Sequence, residues 1–151
     1  WLYYWKHCST IMNILILQGP NLNLLGLKSS RENFRLTLNK LNRQIKNHFL
    51  NSDVNFKIYQ THKHFQAINY LQRNRNWADG VLLIPTSWAR NDYTLLETLN
   101  LIELQIAVVY FDEQFSLGTS KSDSILVSKN ISDFCGLPVE SCIKAIEHLI
   151  G

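Results

Sequence analysis

The 151-residue sequence has few cysteines, no block of like charge and no long apolar run. Its three cysteines, Cys8, Cys135 and Cys142, have neither CxxC nor metal-ligand spacing, which is typical of a chain from a reducing compartment. We expect Cys135 and Cys142 to be small core residues. A formal net charge of +3, scattered along the chain, argues against a nucleic-acid partner. No apolar stretch approaches the roughly 20 residues that span a bilayer.

What is present fits one globular domain. Hydrophobic residues make up 46% of the chain and charged residues 18%, and neither an internal repeat nor an interdomain linker is visible. A chain of this length buries roughly 68–70% of its unfolded surface. We therefore expect a single domain over residues 12–151, preceded by an aromatic extension over residues 1–11.

The extension contains two tryptophans and two tyrosines within Trp1–Trp5. Three interpretations remain open: an upstream extension from an early start codon, a remnant of a targeting peptide, or an added docking arm. An exposed aromatic segment would be a liability, so we favour contact with a neighbouring subunit. Localisation is expected to be cytoplasmic, or an organelle matrix or stroma if the segment is a targeting remnant.

Apolar runs alternate with helical periodicity along the rest of the chain, which predicts an α/β fold with a parallel sheet covered on both faces. Asp92 is the expected cap of the third helix, and Pro138 is the expected start of the last. The predicted strands are Ile14–Leu17, Val54–Tyr59, Val81–Ile84, Ile106–Phe111 and a short one at Ile125–Val127.

The first strand is followed by the segment Gly19-Pro20-Asn21-Leu22-Asn23-Leu24-Leu25-Gly26. Ligands of open α/β sheets settle outside the carboxyl ends of the strands, where this segment lies. An asparagine there can position a hydroxyl, a carbonyl or a water. The alternative is a turn that uses asparagine because this residue tolerates left-handed backbone conformations.

This octapeptide resembles the opening signature of the type II 3-dehydroquinate dehydratases. The resemblance runs, more thinly, from Met12 to Gly151. It implies a flavodoxin-like three-layer sandwich with a five-stranded parallel sheet, and removal of water from 3-dehydroquinate in the shikimate or quinate pathway without metal or cofactor. It also implies a homo-oligomer, a trimer or dodecamer, or membership of a larger complex.

Most positions to which the resemblance assigns the chemistry carry a different residue type. Asn21 matches the catalytic asparagine, but Lys28 stands for the arginine beside the base and Asn33 for the tyrosine base itself. An amide cannot serve as a general base near neutrality. Arg31 is a candidate replacement for the guanidinium, whereas no tyrosine occurs between Gly26 and Tyr59.

The loop after the third strand also departs from the family pattern, which begins Asn-Pro-Gly. Ile84 stands for the asparagine that anchors substrate, and Arg90 stands near a substrate-binding histidine. An arginine can grip a carboxylate, although a solvated loop charge is the simpler interpretation of Arg90. Glu97 aligns with an acidic residue used by the family at a subunit boundary.

After the fourth strand, Asp112 stands for the histidine acid and Tyr110 for the glutamate that orients it. A carboxyl group could donate the proton only if burial or a neighbouring like charge such as Glu113 raised its pKa. Asp123 falls where a substrate-binding arginine belongs. His62 and His64 alternate as a metal pair could, but no third ligand is evident, and a surface or interface role is favoured.

The leading hypothesis is therefore a catalytically inactive or severely impaired dehydroquinase homologue that serves as a structural or interaction subunit. The alternative is an active, divergent 3-dehydroquinate dehydratase. A third hypothesis is a small-anion binding module that uses Asn21 and Arg90.

Overall fold

The computed structural model describes residues 11–30 and 35–151. Five strands form one parallel sheet in the order β2-β1-β3-β4-β5. This is the flavodoxin-like order, so the predicted fold class is confirmed. The strands are β1 (Met12–Gln18), β2 (Val54–Gln60), β3 (Gly80–Ile84), β4 (Gln105–Phe111) and β5 (Ile131–Gly136).

Within the described residues, six α-helices connect or follow the strands: α1 (Leu25–Ser29), α2 (Leu38–His48), α3 (His64–Asn74), α4 (Trp88–Asn91), α5 (Tyr93–Leu101) and α6 (Pro138–Ile150). Their starts follow local chemistry. The Thr37 hydroxyl accepts the amide N–H of Lys40 at 3.2 Å and begins α2. Asp92 accepts the amide N–H of Leu95 at 3.0 Å, so its predicted role as the cap of α5 is confirmed. Pro138 is the first residue of α6, as expected.

Two apolar layers lie on opposite faces of the sheet because successive strand residues point to opposite sides. Ile14, Ile16 and Leu82 pack toward α2 and α6, where Leu41 and Ile146 are fully buried. The other layer packs toward α3 and α5 and contains Leu15, Leu17, Val81, Leu71 and Leu99. The sheet is thus covered on both faces, which leaves the carboxyl ends of the strands as the place for a binding site.

The predicted position of the fifth strand was wrong. Residues Ile125–Val127 form no strand, and β5 lies at Ile131–Gly136, paired in parallel with Ile106–Phe111. Leu126 is fully buried against the α3/α5 layer while Val127 is 73% exposed. The apolar signal at 125–127 therefore comes from a loop that covers the sheet. The polar side chains of Ser132 and Asp133 interrupt the apolar pattern of β5, so the sequence did not indicate a strand there.

Two side-chain predictions also need correction. Cys142 is fully buried, but Cys135 is exposed because it lies on the edge strand β5. The helical spacing of Phe65, Ile68 and Leu71 predicts that all three face the core, whereas Phe65 is 55% exposed and the buried face carries Ala67 and Leu71.

Trp1–Thr10 lie outside the described residues, so the expectation of an aromatic docking arm stays a prediction. In the part of the chain that the structure describes, no helix is both long and apolar enough to cross a membrane.

Candidate functional site

The crevice lies at the carboxyl edge of the sheet, where β1 and β3 are neighbours. The chain leaves β1 toward α1 and α2 on one face and leaves β3 toward α4 and α5 on the other. Such a reversal opens a crevice between the loops, and ligands of this fold class bind there. The loops after β1, β3 and β4 therefore decide what the site can do.

The loop after β1 is held against the loop after β3 by backbone contacts. The amide N–H of Gly19 donates to the carbonyl of Ile84 at 2.8 Å, and the Thr86 hydroxyl donates to the carbonyl of Pro20 at 2.9 Å. A Cβ atom at Gly19 would lie only 2.5 Å from the carbonyl oxygen of Pro85. The glycine is thus required for the close approach of two loops.

Asn21 is exposed at the top of this loop, in a left-handed conformation with φ of 65°. Its amide N–H donates to Nδ1 of His62 at 3.2 Å, and its carbonyl accepts the amide N–H of Leu24 at 2.9 Å. The backbone is fixed while no helix-cap hydrogen bond engages the side chain. Asn21 thus makes the turn, and its amide side chain is exposed at the crevice; its role in positioning a ligand stays a prediction.

His62 was missed as a contact of this loop. It is exposed, as expected for a surface histidine, but it follows β2 and so reaches the same sheet edge as Asn21. Its position two residues after the end of β2 was the signal that could have placed it here. We call the part of the crevice bordered by Asn21 and His62 the open half.

The loop after β3 turns at Thr86, which has φ of 49°. A positive φ is unfavourable for a β-branched residue and is tolerated only when the surroundings enforce it. Here the Thr86 hydroxyl is bound to Pro20 and its carbonyl accepts the amide N–H of Thr119 at 3.2 Å. Thr86 thus links the loops after β1, β3 and β4.

The loop after β4 lies directly on the loop after β3. Gly118 has φ of 81°, and a Cβ atom there would lie 2.4 Å from the backbone nitrogen of Ser87. Between the ends of β3 and β4 this packing leaves a cavity of about 10 Å³. We call this space the closed half; its lining residues are Ile84, Thr86, Val109, Tyr110, Phe111, Ser116, Leu117 and Thr119. That volume holds about one water molecule, whereas small-molecule sites span about 300–1,000 Å³.

Tyr110 points away from solvent at the closed half and is only 6% exposed. Its hydroxyl donates to the Ser124 hydroxyl at 2.6 Å, and Ser124 also accepts the amide N–H of Leu126 at 3.1 Å. Burial raises the pKa of Tyr110 to about 12, and the Ser124 hydrogen bond only partly offsets this. The phenol is therefore neutral near pH 7 and ties down the segment that covers β4 and β5.

Asp112 and Asp123 are both exposed on the loop after β4. The Asp112 backbone is fixed by its amide N–H, which donates to the Gly136 carbonyl at 2.9 Å. Burial, one of the two conditions for Asp112 to act as a proton donor, is thus not met. The Asp123 carboxylate accepts the Ser120 hydroxyl at 3.3 Å, a contact within its own turn.

The other predicted positions are dispersed. Ile84 is 2% exposed and packs into the α2/α6 layer. Lys28 is half-buried on α1, while Arg90 on α4 and Glu97 on α5 are exposed. Asn33 and Arg31 lie outside the described residues.

No metal centre emerges from the described part of the chain, in which no three histidine, cysteine, aspartate or glutamate side chains cluster. His62 binds the Asn21 backbone instead. His64 Nδ1 lies 3.4 Å from a carboxylate oxygen of Asp92 and joins the starts of α3 and α5.

Comparison with known proteins shows the family to which the chain belongs. The family model described as dehydroquinase class II matches residues 12–150. This chain belongs to the class II dehydroquinase family. The 3-dehydroquinate dehydratase of Dictyoglomus turgidum is 28% identical over 144 residues, covering 92% of this chain and 96% of that protein. The Clostridium botulinum (strain Hall) 3-dehydroquinate dehydratase is 23% identical over 139 residues, covering 92% and 95%.

Solved structures show the same fold. A type II dehydroquinase from Butyrivibrio crossotus superimposes with a TM-score of 0.76 at 20% identity, covering 95% of this chain and all of that one. A 3-dehydroquinate dehydratase-like protein from Bifidobacterium longum gives 0.64 at 11% identity, covering 92% and 95%.

The dehydroquinase signature can now be explained residue by residue. Gly19 and Gly26 are required for packing: a Cβ at Gly26 would lie 2.9 Å from Thr37 Cγ2. Thr86 occupies the glycine position of the family's Asn-Pro-Gly sequence and still has the positive φ that suits glycine.

Proposed function

We propose that this chain is a dehydroquinase-family protein that has lost most or all dehydratase activity and acts as a structural or interaction subunit of an oligomeric assembly. The observation that carries the proposal is the setting of Tyr110, which stands at the family's orienting position but is buried, with its hydroxyl bound to Ser124. The adjoining cavity of about 10 Å³ is also far too small for a cyclic acid such as 3-dehydroquinate.

The residues around the crevice support the same conclusion. Elimination of water needs one group to remove a proton and another to protonate the departing hydroxyl. Asn33 stands at the base position, and the exposed Asp112 stands at the acid position. Tyr110, at the orienting position, is a buried neutral phenol whose hydroxyl is bound to Ser124. The hydrocarbon side chain of Ile84 cannot form a hydrogen bond to substrate at the anchoring position.

The surface supports an interaction role. Phe65 and Tyr93 are 55% and 67% exposed at the starts of α3 and α5, which the His64–Asp92 pair joins. Exposed aromatic side chains at two neighbouring helix starts suit a protein contact. The proposed assembly is a homo-oligomer, a trimer or a dodecamer as the family resemblance implies, or a complex with another protein. The native mass and co-purifying proteins of the untagged chain measure it; a monomer without partners contradicts this part of the proposal.

A dehydratase assay tests the loss of activity. The chain is incubated with saturating 3-dehydroquinate and the enone absorbance of the product is followed, with the Dictyoglomus turgidum relative as positive control. We expect no signal above background. Turnover within about tenfold of the usual 1–1,000 per second would overturn the proposal and establish the alternative, an active divergent dehydratase.

A further inference from the structure

A second, larger cavity lies beside the crevice, between the start of α6, the turn after β4 and the segment that precedes α2. Its volume is about 400 Å³, within the range of small-molecule sites. It shares no lining residue with the closed half of the crevice. What it binds is therefore a separate question from the loss of dehydratase activity.

The wall of this cavity is apolar. Phe115 and Pro138 are buried, Leu36 and Val139 are half-buried, and Leu137 is 41% exposed. Among the described lining residues no polar side chain is buried. An apolar group that enters the cavity is therefore removed from water without leaving a buried polar group of the protein unpaired. The wall thus fits an aromatic ring or a large aliphatic group.

The rim carries one charge of each sign. Arg35 lies before α2 and Glu140 lies in the first turn of α6, and both are exposed at the same cavity with the amide of Gln114. Among the described side chains, the Arg35–Glu140 distance exceeds 4.0 Å, and neither residue forms an ion pair elsewhere. Both charges therefore lie at the rim, within reach of a ligand in the cavity.

The apolar wall and the two opposite charges at the rim together indicate the chemical class of the ligand. A fatty acid or aromatic acid would satisfy Arg35 but bring a carboxylate near Glu140, and an amine would have the reverse fault. A ligand with an ammonium, a carboxylate and an apolar body satisfies the wall and both ends of the rim. We propose that this cavity binds a free amino acid with a large apolar side chain, its carboxylate at Arg35 and its ammonium at Glu140.

The test is isothermal calorimetry of the full chain with L-phenylalanine. We expect one site with Kd on the order of 0.1–1 mM, as suits a ligand of this size in a partly open cavity. Two analogues that each lack one charge, 3-phenylpropanoate and 2-phenylethylamine, should bind at least about fivefold more weakly. L-Serine, which lacks the apolar body, should give no heat.

Variants locate the site. Arg35→Gln and Glu140→Gln should each weaken L-phenylalanine binding by about three- to tenfold, since solvent-exposed charge pairs contribute modestly. Val139→Trp, which fills the cavity, should abolish binding. Arg75→Gln and Glu103→Gln, exposed charges elsewhere, are the matched controls and should leave the Kd unchanged.

Three outcomes would overturn the proposal: no heat with L-phenylalanine up to 10 mM, equal affinity for 3-phenylpropanoate or 2-phenylethylamine, or unchanged affinity in all three cavity variants. None of these depends on whether the chain dehydrates 3-dehydroquinate, so the two proposals fail separately.

Discussion

The open and closed halves of the crevice are built alike, yet they differ in what they leave exposed. In both, a loop packs onto the loop after β3 at a glycine where a Cβ atom would lie 2.5 Å or less from a backbone atom, Gly19 at Pro85 and Gly118 at Ser87. The open half leaves the Asn21 side chain exposed at its border. The closed half leaves space for about one water.

The comparison separates shape from chemistry. Two of the residues shared with the dehydroquinase signature, Gly19 and Gly26, lie where a Cβ atom would meet a neighbouring segment at less than 3.0 Å. The differing positions do not share one setting: Ile84 packs into the core, whereas Asp112 is exposed. A retained signature is therefore evidence for the fold and weak evidence for the reaction.

The largest expected effect comes from the two packed glycines. Gly118→Ala and Gly19→Ala should each lower the free energy of unfolding by about 3 kcal/mol, since the new methyl group overlaps backbone atoms that cannot move aside. Gly118→Ala adds strain at positive φ. Urea unfolding measures both, with Gly151→Ala as a control that shares the positive φ of Gly118 but whose Cβ meets nothing within 4 Å. If Gly118→Ala costs under about 0.5 kcal/mol, the loop after β4 does not close its half.

Tyr110 provides a pH-dependent test of the closed half. Its pKa rises from 10 in the unfolded chain to about 12 in the folded protein, so the unfolded state loses this proton first. Stability from this group is complete below pH 10 and is lost as the pH rises to 12, by about 1–3 kcal/mol. Tyr110→Phe should remove this part of the pH dependence. Parallel stability curves for both proteins between pH 10 and 12 would show that Tyr110 is solvated.

Thr86 separates backbone strain from hydrogen bonding at the junction of the halves. Thr86→Ala keeps the positive φ and loses the hydroxyl bond to Pro20, which should cost about 1–2 kcal/mol. Thr86→Gly loses the same bond but relieves the strain, so it should lie within about 1 kcal/mol of the parent and above the alanine variant. Chemical unfolding of the pair measures the difference. A glycine variant less stable than the alanine variant would contradict the strain argument.

The smallest expected effect is none at all. Asn33→Tyr or Asp112→His alone should not produce measurable dehydratase activity, since proton removal and hydroxyl departure both need assistance. The double variant should also remain poor, because Ile84 and Asp123 still stand at substrate-holding positions. Activity in either single variant would show that the closed half admits substrate. If the unmodified chain is active and Asp112→Asn abolishes this activity in a folded protein, Asp112 is a working acid.

Sequence patterns predicted the elements that depend on local chemistry. The run Ile14–Leu17, the cap Asp92 and the start of α6 at Pro138 each carry a strong local signal, and all are confirmed. The edge strand was missed because Ile131–Gly136 is half-buried and polar in part, while the covering loop at Ile125–Val127 is apolar. Local composition cannot distinguish an edge strand from a loop that packs on the sheet.

The candidate site was predictable only as a set of positions. Sequence placed Asn21, Ile84, Tyr110 and Asp112 near the strand ends, where they lie. It could not show that Gly118 and Thr119 pack onto Thr86, because this contact joins segments more than 30 residues apart. The closing of the crevice is a tertiary event with no local signature.

The bond between Asn21 and His62 fixes where the imidazole proton resides. Because the Asn21 amide donates to Nδ1, the neutral ring carries its hydrogen on Nε2, and it presents a donor away from the loop. A ring with its hydrogen on Nδ1 instead has no acceptor for this N–H and must release the Asn21 backbone. The tautomer of His62 is therefore coupled to the backbone conformation of the loop after β1 that carries Asn21.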